Sequence, residues 1–193
     1  AMKDFPTSTI IKPPRTLGVL RMHMSGENSL RDLYQQGASR MLFVRQRDGA
    51  QGIFINTSGG LTSGDHLNTF LTLEDNVEFT FSTQGCERVY RSVDDTPAEV
   101  CTHARVRDKA FLDWLPQETI FYDGGCLNRQ SHFDVSSSSS ALIVESLLFG
   151  RLAMGERHLC GCLKDQITLR IDDETIFKDV TCFDGDISYQ LER

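Results

Sequence analysis

Leu67-Asn68-Thr69-Phe70-Leu71-Thr72-Leu73 passes through Glu74-Asp75-Asn76 into Val77-Glu78-Phe79-Thr80-Phe81-Ser82, and this stretch decides the fold class. Leu67, Thr69, Leu71 and Leu73 recur at every second position, and Val77, Phe79 and Phe81 alternate with Glu78, Thr80 and Ser82. A period of two places alternate side chains on one face of an extended chain, as a half-buried strand requires. The three residues between the runs are turn formers whose carboxylate and amide groups close local hydrogen bonds.

The same period recurs along the chain, in Val100, Thr102, Ala104 and Val106 and again in Ile167, Leu169 and Ile171. Ile53-Phe54-Ile55, next to Gly52, reads as a more buried strand. Turn chemistry separates the runs at Asp48-Gly49, Ser58-Gly59-Gly60, Ser63-Gly64-Asp65, Asp123-Gly124-Gly125 and Asp184-Gly185-Asp186. The expectation is a mainly β protein, a large multi-stranded architecture, antiparallel or mixed, with one or two short helices. No internal repeat is legible. Ser29–Gly37 carries a capping Ser, an early Asp and a terminal Gly, and reads as a short helix or turn. Ala141–Phe149 is apolar on nearly all sides, so periodicity leaves strand and helix open. The serines 136–140 read as a flexible loop.

The 193 residues suit one domain spanning 1–193. A net charge of −7 argues against nucleic acid or an anionic membrane as partner. No stretch approaches the roughly 20 apolar residues of a spanning helix. Ala1 reads as a cloning scar, and the residues after it lack the basic and apolar regions of a signal peptide. The expected compartment is the cytoplasm, where the six cysteines would be reduced thiols.

Gly59-Gly60-Leu61-Thr62-Ser63-Gly64-Asp65 invites a phosphate-loop reading, but no Lys follows and the next residues read as a strand, which leaves a tight turn. His158, Cys160 and Cys162 sit at i, i+2, i+4, so their side chains share one strand face and offer soft ligands for Ni²⁺ or Zn²⁺. Glu145 lies inside an apolar run and must be paired, hydrogen-bonded or wet. It either forms an ion pair, with Arg151 or Arg91 as partners, or faces an internal water-filled passage. No G-x-S-x-G or H-E-x-x-H motif is present. The scattered histidines keep an all-β hydrolase as one alternative, and His158/Cys160/Cys162 keep a stand-alone Ni/Zn binder as another.

Four segments together resemble the urease accessory protein family UreD, called UreH in some bacteria. They are Gln36-Gly37-Ala38-Ser39-Arg40, Asn56 to Asp65, Ser82 to Ser92 with Trp114 to Ile120, and Glu145 to Glu156. The resemblance implies a β-rich, non-catalytic assembly factor that binds apo-urease and UreF. Through UreF it would meet the GTPase UreG, and a homodimer within the accessory complex is compatible with it. It implies no tightly bound cofactor, only transient nickel, passed through an internal polar tunnel. Asp65, Glu87, Arg91, Glu118, Asp123, Glu145, Arg151 and Glu156 match polar family positions, as tunnel or interface residues. Ser63 stands where the family usually has Gly, and Gly85-Cys86 where small alanines are usual. Family members also continue beyond Asp184-Gly185-Asp186, so the expectation is a UreD-like domain without that C-terminal segment.

Overall fold

The computed structural model describes residues 14–192 apart from 27, 46–48, 95 and 157. The N-terminal residues judged for a signal peptide, and Asp48 of the Asp48-Gly49 turn, lie outside these. Strand makes up 64% of the structure and helix 4%, which is the expected mainly β class. The strands are β1 (Leu17–Ser25), β2 (Ser29–Gly37), β3 (Ser39–Arg45), β4 (Ala50–Asn56), β5 (His66–Leu73), β6 (Glu78–Thr83), β7 (Glu87–Val89) and β8 (Ala98–Val106). They continue with β9 (Phe111–Leu115), β10 (Thr119–Phe121), β11 (Cys126–Val135), β12 (Ser140–Ile143), β13 (Leu147–Phe149), β14 (Cys160–Ile171) and β15 (Glu174–Asp186). The helical part is a 3-10 turn at Leu152–Met154 and α1 at Ile187–Leu191.

The chain winds as a solenoid. β5, β6 and β7 fall in three different sheets, and the next two coils, β8-β9-β10 and β11-β12-β13, repeat the order. The sheets run β15-β14-β11-β8-β5-β1-β2, β12-β9-β6-β4-β3 and β13-β10-β7. Within the coils every pairing is parallel. Antiparallel hairpins close the ends, β1/β2 with β3/β4 at one and β14/β15 at the other. Such a stack buries a core only if like positions superpose from coil to coil. They do: Met22, Leu71, Ala104, Phe133 and Leu169 pair in register across five strands. No repeat was legible because partners one coil apart are separated by anything from 28 residues (Thr119–Leu147) to 36 (Arg129–Asp165).

The interior holds two apolar clusters. One lies between the seven-stranded and five-stranded sheets, around Leu71, Phe79, Phe81, Leu112, Trp114 and Phe133. The other lies toward the three-stranded sheet, around Leu61, Val89, Phe121, Leu127, Leu163 and Ile187.

Three expectations are corrected. Ser29–Gly37 is β2, not a helix, because its backbone pairs with β1 from Gly18↔Gly37 to Ser25↔Ser29. Local capping signals lose to the unsatisfied edge of β1. The serine run is a tight turn: Ser139 N–H donates to Ser136 O at 2.9 Å, and Ser137 N–H to Asp172 Oδ1 at 3.0 Å. The cysteines are not all free. Cys126 and Cys162 face each other in register on β11 and β14, with Cα atoms 4.5 Å apart, and form a disulfide. The ambiguous run Ala141–Phe149 resolves into β12 and β13 with Glu145 at the corner between them.

Phe133 is fully buried and packs edge-on against Trp114, ring centroids 5.6 Å apart. Phe133→Ala should lower stability by about 3–5 kcal/mol in urea unfolding, whereas Phe111→Ala on the outer face should stay within about 0.5 kcal/mol.

Candidate functional site

A polar layer separates the two apolar clusters, and the alternation of the strands builds it. On β11 the inward-facing residues are Leu127, Arg129, Ser131, Phe133 and Val135, all buried. Arg129 and Ser131 therefore enter the interior on the same phase as the leucine and phenylalanine. Ser131 superposes on Thr102 and Thr69 in the neighbouring coils. Arg129 superposes on Asp165 of β14. From the three-stranded sheet Glu87 and Thr119 share one rung of the same interior.

Glu145 closes the layer from the corner between β12 and β13. Its Oε1 accepts from Trp114 Nε1–H at 2.9 Å and from Ser131 Oγ at 2.9 Å. Arg129 Nε lies 3.6 Å from Glu145 Oε2. The same guanidinium forks onto Asp165, Nε to Oδ1 at 2.8 Å and Nη2 to Oδ2 at 2.5 Å, and reaches Thr119 Oγ1 at 3.3 Å. Both side chains of the Arg129–Glu145 pair are only 9% exposed. Burial pulls the Arg129 pKa down, but the carboxylates of Asp165 and Glu145 more than offset this, and the net direction is up. The guanidinium stays charged. The ion-pair partner of Glu145 is thus Arg129, and neither Arg151 nor Arg91.

A cavity of about 440 Å³ opens into this layer, lined by Thr69, Thr102, Thr119, Arg129 and Glu145, and by Asn56, Cys86 and Glu87. Glu87 accepts from Asn56 Nδ2 at 3.1 Å and from the Arg88 N–H at 3.1 Å. Burial nonetheless pushes its carboxyl above the ordinary carboxylate range. Carboxylate and hydroxyl oxygens of this kind suit a hydrated divalent ion held loosely, because oxygen donors bind late transition metals less strongly than imidazole or thiolate. Among the described residues no three His, Cys, Asp or Glu side chains are grouped to hold a metal.

Of the eight family-matching polar residues, Glu87 and Glu145 line this cavity. Four others meet at a separate surface knot. Arg91 pairs with Asp123, whose Oδ1 accepts the Cys160 N–H at 3.0 Å. Arg151 forks onto Glu156, with Nε to Oε2 and Nη2 to Oε1 both 3.1 Å. Glu156 in turn accepts the Asp123 N–H at 3.2 Å. The Arg151 guanidinium holds the Glu156 carboxyl below its usual range, and also lies 4.1 Å from the Tyr122 ring. Asp65 is 3% exposed and braces the glycine-rich loop, accepting from Thr16 N–H at 2.7 Å and Thr62 N–H at 2.8 Å. In that loop Gly60 has φ 147°, and a Cβ there would fall 2.3 Å from the Tyr90 ring. Glu118 is half-buried, with its carbonyl accepting from Glu87 N–H at 3.0 Å.

His158, Cys160 and Cys162 do not form the metal-ligand set that their spacing suggests. Cys162 is bound to Cys126, and His158 and Cys160 are exposed. The site residues that the sequence reading passed over are Arg129, Asp165, Ser131 and Trp114. The signal for the first two was present, a charge on the inward phase of an alternating run.

A family model described as UreD urease accessory protein matches residues 17–192. A protein named urease accessory protein UreD from Ruegeria sp. (strain TM1040) is 35% identical over 188 residues, covering 94% of this chain and 63% of its own length. Its namesake in Roseobacter denitrificans is 35% identical over 190 residues, 97% of this chain and 70% of its own. That from Paracoccus denitrificans is 38% identical over 177 residues, 90% and 62%. The chain spans about two thirds of the length of the curated relatives it matches.

Arg129→Leu leaves two largely buried carboxylates, Glu145 and Asp165, without their cation and should cost about 3–5 kcal/mol in urea unfolding. Glu87 gives a pH signature. With a folded pKa above the unfolded one, the folded chain takes up its proton first as pH falls. Stability should therefore rise from the raised folded value down to about 4.5, the unfolded value, and level off below it. Glu87→Gln should remove that rise from urea midpoints measured across the same pH range.

Proposed function

Because this chain belongs to the family of UreD urease accessory proteins, we propose that it serves urease assembly without catalysing a reaction, by docking and by giving nickel a polar way through its interior. In this reading the outside of the solenoid binds apo-urease and UreF, and UreF links it to the nickel-carrying GTPase UreG. The reading places the work in the cytoplasm. The nickel is cargo.

One observation carries the proposal: a cavity of about 440 Å³ reaches a buried carboxylate, Glu145, between two apolar clusters. Burying a carboxylate and a guanidinium in a core is expensive, and an apolar replacement of the same volume is often as stable. A fold that needed only stability has little use for this layer. A passage for a divalent ion needs it, because the ion must exchange water for protein oxygens and leave again. Glu145 and Glu87 supply anionic oxygens, and Thr69, Thr102 and Thr119 supply neutral ones. Arg129 limits the net negative charge, so an ion meets attraction without a trap. The surface knot of Arg91, Asp123, Arg151 and Glu156 fits the docking half of the role. It is charged, partly exposed and braced by side chain–backbone hydrogen bonds.

Reconstituted activation tests this. Glu145→Gln keeps one oxygen, able to accept from both Trp114 and Ser131 as Oε1 does now, but removes the charge. The variant should still capture UreF and apo-urease, and yield urease with at least severalfold less nickel by elemental analysis. Normal nickel loading with normal capture would refute the passage and leave the docking role. Loss of capture in the unmutated protein would refute the docking role.

A further inference from the structure

Four of the five histidines, His23, His66, His103 and His132, lie on the outward phase of their strands, on the solvent face of the seven-stranded sheet. Two of them are direct neighbours. His103 of β8 and His132 of β11 are paired in register, with ring centroids 6.1 Å apart and planes at 63°. His103 Nε2 is hydrogen-bonded to Asp134 Oδ2 at 2.7 Å. Asp134 is held in turn by Arg170, Nη1 to Oδ1 at 3.4 Å. His132 makes no other polar contact among the described residues.

We propose that His103 and His132 form a surface site for a divalent transition-metal ion that bonds imidazole, with Asp134 as the carboxylate that orients the first ligand. A carboxylate accepting the ring N–H of a histidine is the usual arrangement behind a metal-bound imidazole. With Nε2–H donated to Asp134, the lone pair of His103 sits on Nδ1, on the ring edge away from the carboxylate. His132 has both ring nitrogens uncommitted and is half exposed, so its ring is free to turn toward a shared ion. Metal–nitrogen bonds of about 2.0–2.1 Å require the two rings to approach slightly from their present separation. A simple surface ion-pair chain explains His103, Asp134 and Arg170, but it gives His132 nothing to do.

Charge decides the class of ion. Arg170 neutralises Asp134, and the exposed Arg105 lies beside it on the same outer face. The site therefore offers two imidazole nitrogens without an anionic cage. Zn²⁺, Ni²⁺ and Cu²⁺ bond imidazole well, whereas Mg²⁺ and Ca²⁺ need oxygen donors. Two protein ligands leave the remaining positions to water, so binding is reversible. The site lies outside the solenoid and is independent of the interior passage.

The test is a zinc titration of the whole chain carrying ¹⁵N-labelled histidine, followed by NMR of the imidazole nitrogens. Without metal, His103 should show the Nε2–H tautomer. Zinc should shift His103 and His132 together, and magnesium neither. His132→Gln should raise the zinc concentration for half-shift at His103 at least tenfold, and Asp134→Asn by about 10–100-fold. Backbone amide spectra confirm that each variant is folded, with His132→Asn as the substitute for any that is not. The proposal fails if His132→Gln leaves the His103 titration unchanged, or if zinc moves His158 and leaves the pair untouched.

Discussion

Arg129 stands inside a β-solenoid with carboxylates on two sides, Asp165 bonded through both ends of its fork and Glu145 across the interior. The polar layer between the two apolar clusters is arranged around that guanidinium. Thr119 takes one of its remaining donors, and Ser131 and Trp114 satisfy Glu145 from the far side. Either charge alone would be intolerable in this setting, because an unpaired buried ion cannot recover its lost hydration. Together they are sustainable, and they keep open a polar layer where a plain solenoid would have packed leucine on leucine. The closing hairpin, through Asp165, and the corner between β12 and β13, through Glu145, are both tied to β11 by this one side chain.

The fold makes the arrangement affordable. Parallel coils place residues in columns, so one polar rung, Thr69, Thr102 and Ser131, runs through the stack without disturbing the apolar rungs beside it. The cluster around Phe79, Phe133 and Trp114 and the cluster around Phe121, Leu127 and Leu163 remain intact on either side. A second group of charges, Arg91, Asp123, Arg151 and Glu156, sits at the surface. There ion pairing with solvent access is inexpensive, and backbone hydrogen bonds brace the turn ahead of β14. Inner and outer charges thus have different physical roles: the inner ones shape a cavity, the outer ones shape a face.

Much of this was legible from residue order. The period-two runs name β5, β6, β8 and the second half of β14, but not β1, β11 or β15. The pattern of motifs names the family, because backbone-bracing residues such as Asp65 and close-packed glycines such as Gly60 leave fixed signatures. The course of the sheet was not legible. Parallel coils pair residues about thirty positions apart, and the changing coil length hides the repeat. Ser29–Gly37 was misread because its exposed residues carry helix-capping chemistry, while its state is set by the neighbouring strand it completes. The cavity was half legible. Glu145 drew attention as a carboxylate in an apolar run, but its partner lies on another strand. Arg129 and Asp165 become conspicuous only when the phase of Leu127, Phe133 and Leu163 is followed through them. The disulfide followed from register alone, which spacing in the sequence does not encode.

The central claim is that a divalent ion can enter the interior layer and rest against Glu145 or Glu87 without being trapped. Anomalous diffraction at the nickel edge from crystals soaked in Ni²⁺ tests it most directly. The account predicts partly occupied nickel inside the cavity within coordination distance of one of these carboxylates, removed by back-soaking in metal-free buffer. A cavity that stays free of nickel while surface imidazoles fill would contradict it.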